Sequence, residues 1–272
     1  MSRPPTAGPG AGGWRAAIGV LALAALCLAL PAAAAAQPAL DAGRIRVDSF
    51  TYDVRFEGES LGTLRVSYGR TADGRIRVRE SVSGTLGDEV TTYVMTADLR
   101  PVSARRQGRL GRASASLDLA YAEGRVTGEA TVRADSARPG QRAGDTRRIA
   151  VDREVPAEVL DSNMVVAALM ASPLVPGDTL RYPIFRPGRG VVEARAVVAA
   201  SDSVQVPAGT FHAHRVELAT DQGEFHLWVT REAPRMLVRQ AFLGRPVEVV
   251  LRAVGGEPDS AEDDAGGSGG GR

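Results

Sequence analysis

From Phe50 onward the chain alternates apolar and polar positions with a period of two. Phe50, Tyr52, Val54 and Phe56 fall on one face of a predicted strand, and Thr51, Asp53 and Arg55 on the other. Leu64, Val66 and Tyr68 repeat the pattern. The turn Ala72-Asp73-Gly74 leads into Arg75–Val82, with Ile76 and Val78 inward and Arg75, Arg77 and Arg79 outward. Further strands are predicted at 90–97, 102–110, 113–122 and 125–133, then at 191–199, 211–219, 224–230, 236–242 and 247–254. Short alternating strands with frequent turn residues imply an antiparallel meander.

One segment breaks this period. Val159, Leu160, Met164, Val165, Val166, Leu169 and Met170 cover most of a helical circumference between Pro156 and Pro173. The helix runs either from Pro156 or from about Asn163, with Asp161-Ser162-Asn163 as its cap. It is too apolar for a wet surface. The expected fold is therefore mainly β: a curled antiparallel sheet, an open or partly closed barrel, with one apolar helix on its concave side. Residues 134–146 lack apolar periodicity and read as a surface loop.

The two ends of the chain have different compositions. Arg3 and Arg15 precede an uncharged apolar run from Ala16 to Leu30, then Pro31 and a run of alanines. This is the pattern of a cleavable signal peptide over residues 1–36, with cleavage expected before Gln37. The apolar run is shorter than the ~20 residues of a membrane span. Residues 37–256 form one β-rich domain. Residues 257–272 are acidic, then glycine-rich, and cannot bury a core. The expected location is the periplasm or another exported compartment.

All 33 basic residues are arginine, against 32 acidic ones. Without the leader the balance is close to neutral, and no basic stripe points to a nucleic acid. The single cysteine, Cys27, lies inside the apolar run and follows Leu26, which does not fit a lipoprotein signal. A mature chain lacking it has no disulfide and no thiolate chemistry.

Candidate chemistry is sparse. His212 and His214 share a strand face, and His226 lies on the next strand. A hairpin pairing Leu218 with Phe225 sets Glu217 opposite His226 and Arg215 opposite Trp228. It leaves His226 on the other face from His212 and His214, so a three-histidine metal site is not expected. Acidic residues fall mostly at outward positions and turns. No nucleophile elbow or phosphate loop occurs. Catalytic residues, cofactors and metal ligands are therefore unassigned, and an enzyme is not expected. Arg75, Arg77 and Arg79, with Arg55 and Arg65 on neighbouring strands, are read as a solvated face. Phosphate or anionic headgroups are the alternative partners.

The second half carries a recognisable succession. Asp161-Ser162-Asn163 and the apolar helix are followed by Leu174-Val175-Pro176-Gly177-Asp178-Thr179-Leu180. Then come Val206-Pro207-Ala208-Gly209-Thr210-Phe211, with His214, Val216 and Glu217, and Phe225-His226-Leu227-Trp228-Val229. Ala233-Pro234-Arg235-Met236-Leu237-Val238 closes it. This order resembles the domain-of-unknown-function 3108 family of exported bacterial proteins, well over 155–253 and more weakly over 50–133. The resemblance implies a curled antiparallel sheet and no established enzyme activity.

Two functions fit these features. In the first, a non-enzymatic cell-envelope protein holds a lipid or other apolar small molecule between sheet and helix. Phe50, Tyr52, Val54, Phe56, Met164, Val165 and Leu169 would then line the cavity. In the second, the core is filled and the chain is a structural or interaction module with an unidentified envelope partner. A cavity of roughly 300 Å³ or more with apolar walls separates the two.

Overall fold

The computed structural model describes residues 38–85, 87–110, 113–134 and 144–256. Residues 1–37, with the predicted signal peptide, the C-terminal segment 257–272 and most of the 134–146 segment lie outside the described residues. Fifteen strands are described. The first eight are β1 (Ser49–Phe56), β2 (Glu59–Arg70), β3 (Ile76–Gly84), β4 (Gly87–Met95), β5 (Pro101–Leu110), β6 (Ala113–Ala122), β7 (Arg125–Ala134) and β8 (Thr146–Glu154). They are followed by β9 (Leu160–Asp161), a 3-10 turn over Ser162–Met164 and helix α1 (Val165–Ala171). The rest are β10 (Thr179–Arg186), β11 (Gly190–Val206), β12 (Gly209–Thr220), β13 (Gly223–Thr230), β14 (Leu237–Phe242) and β15 (Val247–Val254).

All fifteen belong to one sheet, in the order β8 to β1, then β15 to β9. Two meanders are thus zipped together by their outermost chain segments, with Phe50 opposite Val254 and Phe56 opposite Val247. The β9–β10 pair alone is parallel. Curling brings β9 back to β5. The Tyr121 ring on β6 meets Phe185 on β10 edge to face at 6.3 Å.

Curvature has local causes. A bulge interrupts the β1–β2 register between Val54 and Arg55. In the same sheet region Gly62 faces Gly84 across β2 and β3. A Cβ on Gly62 would lie 2.2 Å from the Ser83 carbonyl oxygen, so the two backbones approach where only glycine fits.

The predicted alternation reappears as burial. Phe50, Tyr52 and Val54 are buried on β1, and Ile76 and Val78 on β3. Arg75, Arg77 and Arg79 are exposed. The helix takes the shorter of its two predicted spans, since the backbone enters it only at Ser162, after the Asp161 cap. Three strands, β8, β9 and β10, were not predicted, and the two residues of β9, Leu160 and Asp161, fall in the predicted helix or its cap. Of the β8 residues only Val151 is buried, which leaves little apolar alternation to read. Strand β10 contains Pro183, whose missing N–H is tolerated because β9 pairs only with Ile184 and Phe185.

Candidate functional site

Six of the seven residues expected to line a cavity are buried: Phe50, Tyr52, Val54, Met164, Val165 and Leu169. They belong to one continuous core that also contains the inner faces of β10–β13. The Phe50 ring packs against Tyr68 edge to face at 6.1 Å and against Tyr52 at 6.5 Å. The Tyr52 hydroxyl donates to the Leu237 carbonyl at 3.0 Å. Phe56 departs from the expectation and is 40% exposed. It keeps the inward parity of its strand, but its partners are Glu59 and Val247, at the hairpin ends of β2 and β15. The sheet ends there, so parity alone does not bury it.

Helix α1 is held at both ends by polar clamps. At the N-terminus Asp161 Oδ1 accepts from the Asn163 backbone N–H at 2.9 Å and from Asn163 Nδ2 at 2.6 Å. Asp161 Oδ2 accepts from the Tyr121 hydroxyl at 2.6 Å. Burial raises the Asp161 pKa, opposed by these donors. At the C-terminus the buried Arg235 donates to the carbonyls of Met170 and Ser172. Burial, with Arg44 nearby, lowers its pKa. A guanidinium on the last carbonyls of a helix satisfies acceptors that the helix leaves open. Ser172 Oγ also meets the Tyr182 hydroxyl at 2.8 Å.

A second polar group lies on the inner face and was missed in the sequence. Glu80 follows Ile76 and Val78 at the same parity on β3, and the Tyr93 hydroxyl donates to its Oε1 at 3.2 Å. Burial raises its carboxyl to about 7, against the hydrogen bond from Tyr93 and the charge of Arg106. Arg106 Nη2 donates to Asn163 Oδ1 at 2.8 Å, and its Nε lies 3.3 Å from Thr91 Oγ1 and 3.5 Å from Glu89 Oε1. Glu80 and Asp161 thus depart from the outward placement of most acids. A polar residue continuing an apolar parity, as in Ile76-x-Val78-x-Glu80, was the available signal.

The β12–β13 hairpin has the predicted register: Leu218 faces Phe225, Glu217 faces His226 and Arg215 faces Trp228. His214 is buried, with Nδ1 3.1 Å from Ser201 Oγ. His226 instead stacks edge-on against Trp228 at 6.0 Å. Among the described residues, no three His, Cys, Asp or Glu side chains are grouped as metal ligands. Among them, no helix is long and apolar enough to cross a membrane, a statement that does not extend to strands.

Two pockets among the described residues lie away from the sheet–helix contact. One, of about 230 Å³, follows the seam between β8 and the β10–β11 turn. The other, of about 330 Å³, is an open groove on the outer face of β1–β3. Ser49, Thr51, Arg65, Ser67, Arg79 and Ser81 line it. Phe50 borders the groove, but this residue is only 2% exposed.

These features define a class: a curled, incompletely closed antiparallel sheet wrapped around one short, clamped helix. The chain belongs to the family described as protein of unknown function (DUF3108), whose model matches residues 51–250. The match spans both meanders, including the first, where the motifs alone were weaker. No curated protein is similar in sequence. Two solved structures are similar in fold. One is a β-barrel-like protein of the DUF1849 domain of unknown function from Brucella abortus. It has 13% identity and a TM-score of 0.45, covering 78% of this chain and 98% of that one. The other is a "putative exported protein with YmcC-like fold" from Bacteroides fragilis. It has 10% identity and a TM-score of 0.30, covering 80% of this chain and 97% of that one. At these values the likenesses say nothing about activity.

Proposed function

We propose that this is a non-enzymatic protein of the cell envelope, working through its surface as an interaction module on a filled core. The carrying observation is the burial of Phe50, Tyr52, Val54, Met164, Val165 and Leu169 in one core, and both pockets described above lie away from them or touch only their edge. The motif residues support the same reading. Asp161, Asn163 and Arg235 are engaged in clamping the helix, and Val206–Gly209 makes the β11–β12 turn. The inward carboxylates of Glu80 and Asp161 are engaged by tyrosines. The leader pattern of residues 1–36 supports export.

Titration of the purified protein with a fluorescent fatty acid tests the reading. The module predicts no saturable binding at micromolar protein. Leu169→Ala then acts only on stability, costing about 2–5 kcal/mol. Saturable binding that Val166→Glu abolishes would restore the lipid carrier, with the helix as its lid. Intact mass of the envelope fraction tests the location: a chain beginning near Gln37 is expected, and an acylated chain beginning at Cys27 overturns that part.

A further inference from the structure

We propose that the outer groove over β1–β3 is an oxyanion site built for a phosphate monoester group, with Arg65 and Arg79 as its paired forks. Register places the two arginines together. Arg65 lies opposite Ser81, and Arg79 opposite Ser67. The arginines are therefore diagonal neighbours across one strand pair, roughly 7 Å apart at the backbone. Long guanidinium side chains from such positions converge on a single anion.

The lining matches the anion in kind as well as sign. Thr51 pairs with Arg65, and Ser49 with Ser67, so hydroxyls alternate with the two cations across three strands. Among the described residues, the side chains of Ser49, Thr51, Ser67 and Ser81 make no hydrogen bond to the protein, and neither arginine has a carboxylate within ion-pair distance. Nearby acids are already engaged. Asp53 is held by Arg55 and Arg252, each at 3.1 Å, and Asp48 by Arg46 at 3.0 Å. No carboxylate lines the groove. Two guanidinium forks and four hydroxyls offer more donors than the two oxygens of a carboxylate accept. The three terminal oxygens of a phosphate ester use them better. The volume of about 330 Å³ is at the small end of ligand sites and leaves room beyond the phosphate for the esterified group.

Gly255 and Gly256 close one end of the groove, and five carboxylates follow between Glu257 and Asp264. They are the natural competitor, and the test includes them. The probes are inorganic phosphate, glycerol 3-phosphate, and phosphatidylcholine vesicles with or without phosphatidic acid, each added to the full chain. A saturable rise in melting temperature with phosphate or its ester, absent with chloride at matched ionic strength, is expected if the source is a free solute. Binding confined to phosphatidic acid vesicles assigns the source to a lipid headgroup. Both outcomes support the site when Arg65→Gln and Arg79→Gln each weaken binding about tenfold while Arg77→Gln leaves it unchanged.

An equal loss in Arg77→Gln would mean a diffuse field rather than a site. That result overturns the proposal, as does a lack of saturable response to every probe. Binding that appears only after the five carboxylates are changed to amides would make the chain's own acidic segment the occupant, and overturns it too. None of these outcomes depends on the filled core, which the fatty-acid titration tests separately.

Discussion

The inner face of the sheet has two characters. On β10–β13 the inward positions are apolar but for the buried His214: Leu180, Tyr182 and Ile184, then Ala194, Ala196 and Val198, then Val216 and Leu218, then Leu227 and Val229. On β3–β5 the same parity begins apolar, with Ile76, Val78, Tyr93, Met95 and Ala104. It then turns polar at Glu80, Glu89, Thr91 and Arg106. Period two thus tells which face a residue takes but not what it meets there. The first region is stabilised by removing apolar surface from water. The second holds its charges in place by pairing them, and through Arg106 and Asn163 it ties the sheet to the entry of the helix.

The largest effect that sharpens this contrast is within a single strand. Phe50→Ala removes a ring that is 2% exposed and should cost about 3–5 kcal/mol in denaturant unfolding. Phe56→Ala, at the same parity but 40% exposed, should cost less than about 1 kcal/mol. Equal losses would mean that the strand tip is covered by something else and that the core extends to the end of β1.

The polar region breaks differently, through pH. The Glu80 carboxyl, raised to about 7, binds a proton in the folded state at pH values where the unfolded chain has released it. Its unfavourable contribution is absent below about 4.5, grows as pH rises towards 7, and then levels. Unfolding free energy should therefore fall across that window, by at most about 3 kcal/mol. Glu80→Gln removes the proton exchange and should flatten this slope. Asp161 is also raised, so its share persists in the variant, and the difference between the two profiles isolates Glu80. Two profiles of identical slope would place Glu80 in contact with water rather than beneath Tyr93.

Much of the architecture was legible because burial follows parity wherever a strand is covered on one face. The β1 and β3 alternations, the β12–β13 register and the apolar helix all follow from that rule. Strand β8 was not legible, because an edge strand with one buried residue has little alternation to show. Strand β10 was hidden by Pro183, which reads as a breaker until the edge position is known. The clamps were visible only as motif residues. Asp161 announces a helix cap locally, but Arg235 reaches Met170 across 65 positions of sequence, and no local pattern encodes that contact. The outer groove was present as a set of outward arginines. What the sequence lacked was the diagonal register that separates Arg65 and Arg79 from Arg77.

The smallest predicted effect tests the outer face itself. Arg77 is exposed, and its neighbours across the sheet are Gly69 on β2 and Val94 on β4. Neither offers a charge, and among the described residues no carboxylate lies within ion-pair distance of its guanidinium. Arg77→Ala should therefore change unfolding free energy by no more than about 0.5 kcal/mol, even though Ile76 and Val78 on either side are fully buried. The contrast is steep because adjacent β residues point to opposite faces. A loss above about 1 kcal/mol, measured by denaturant titration in the full chain, would show that something packs on this face. The outer surface of β2–β4 would then be an internal contact rather than a free face.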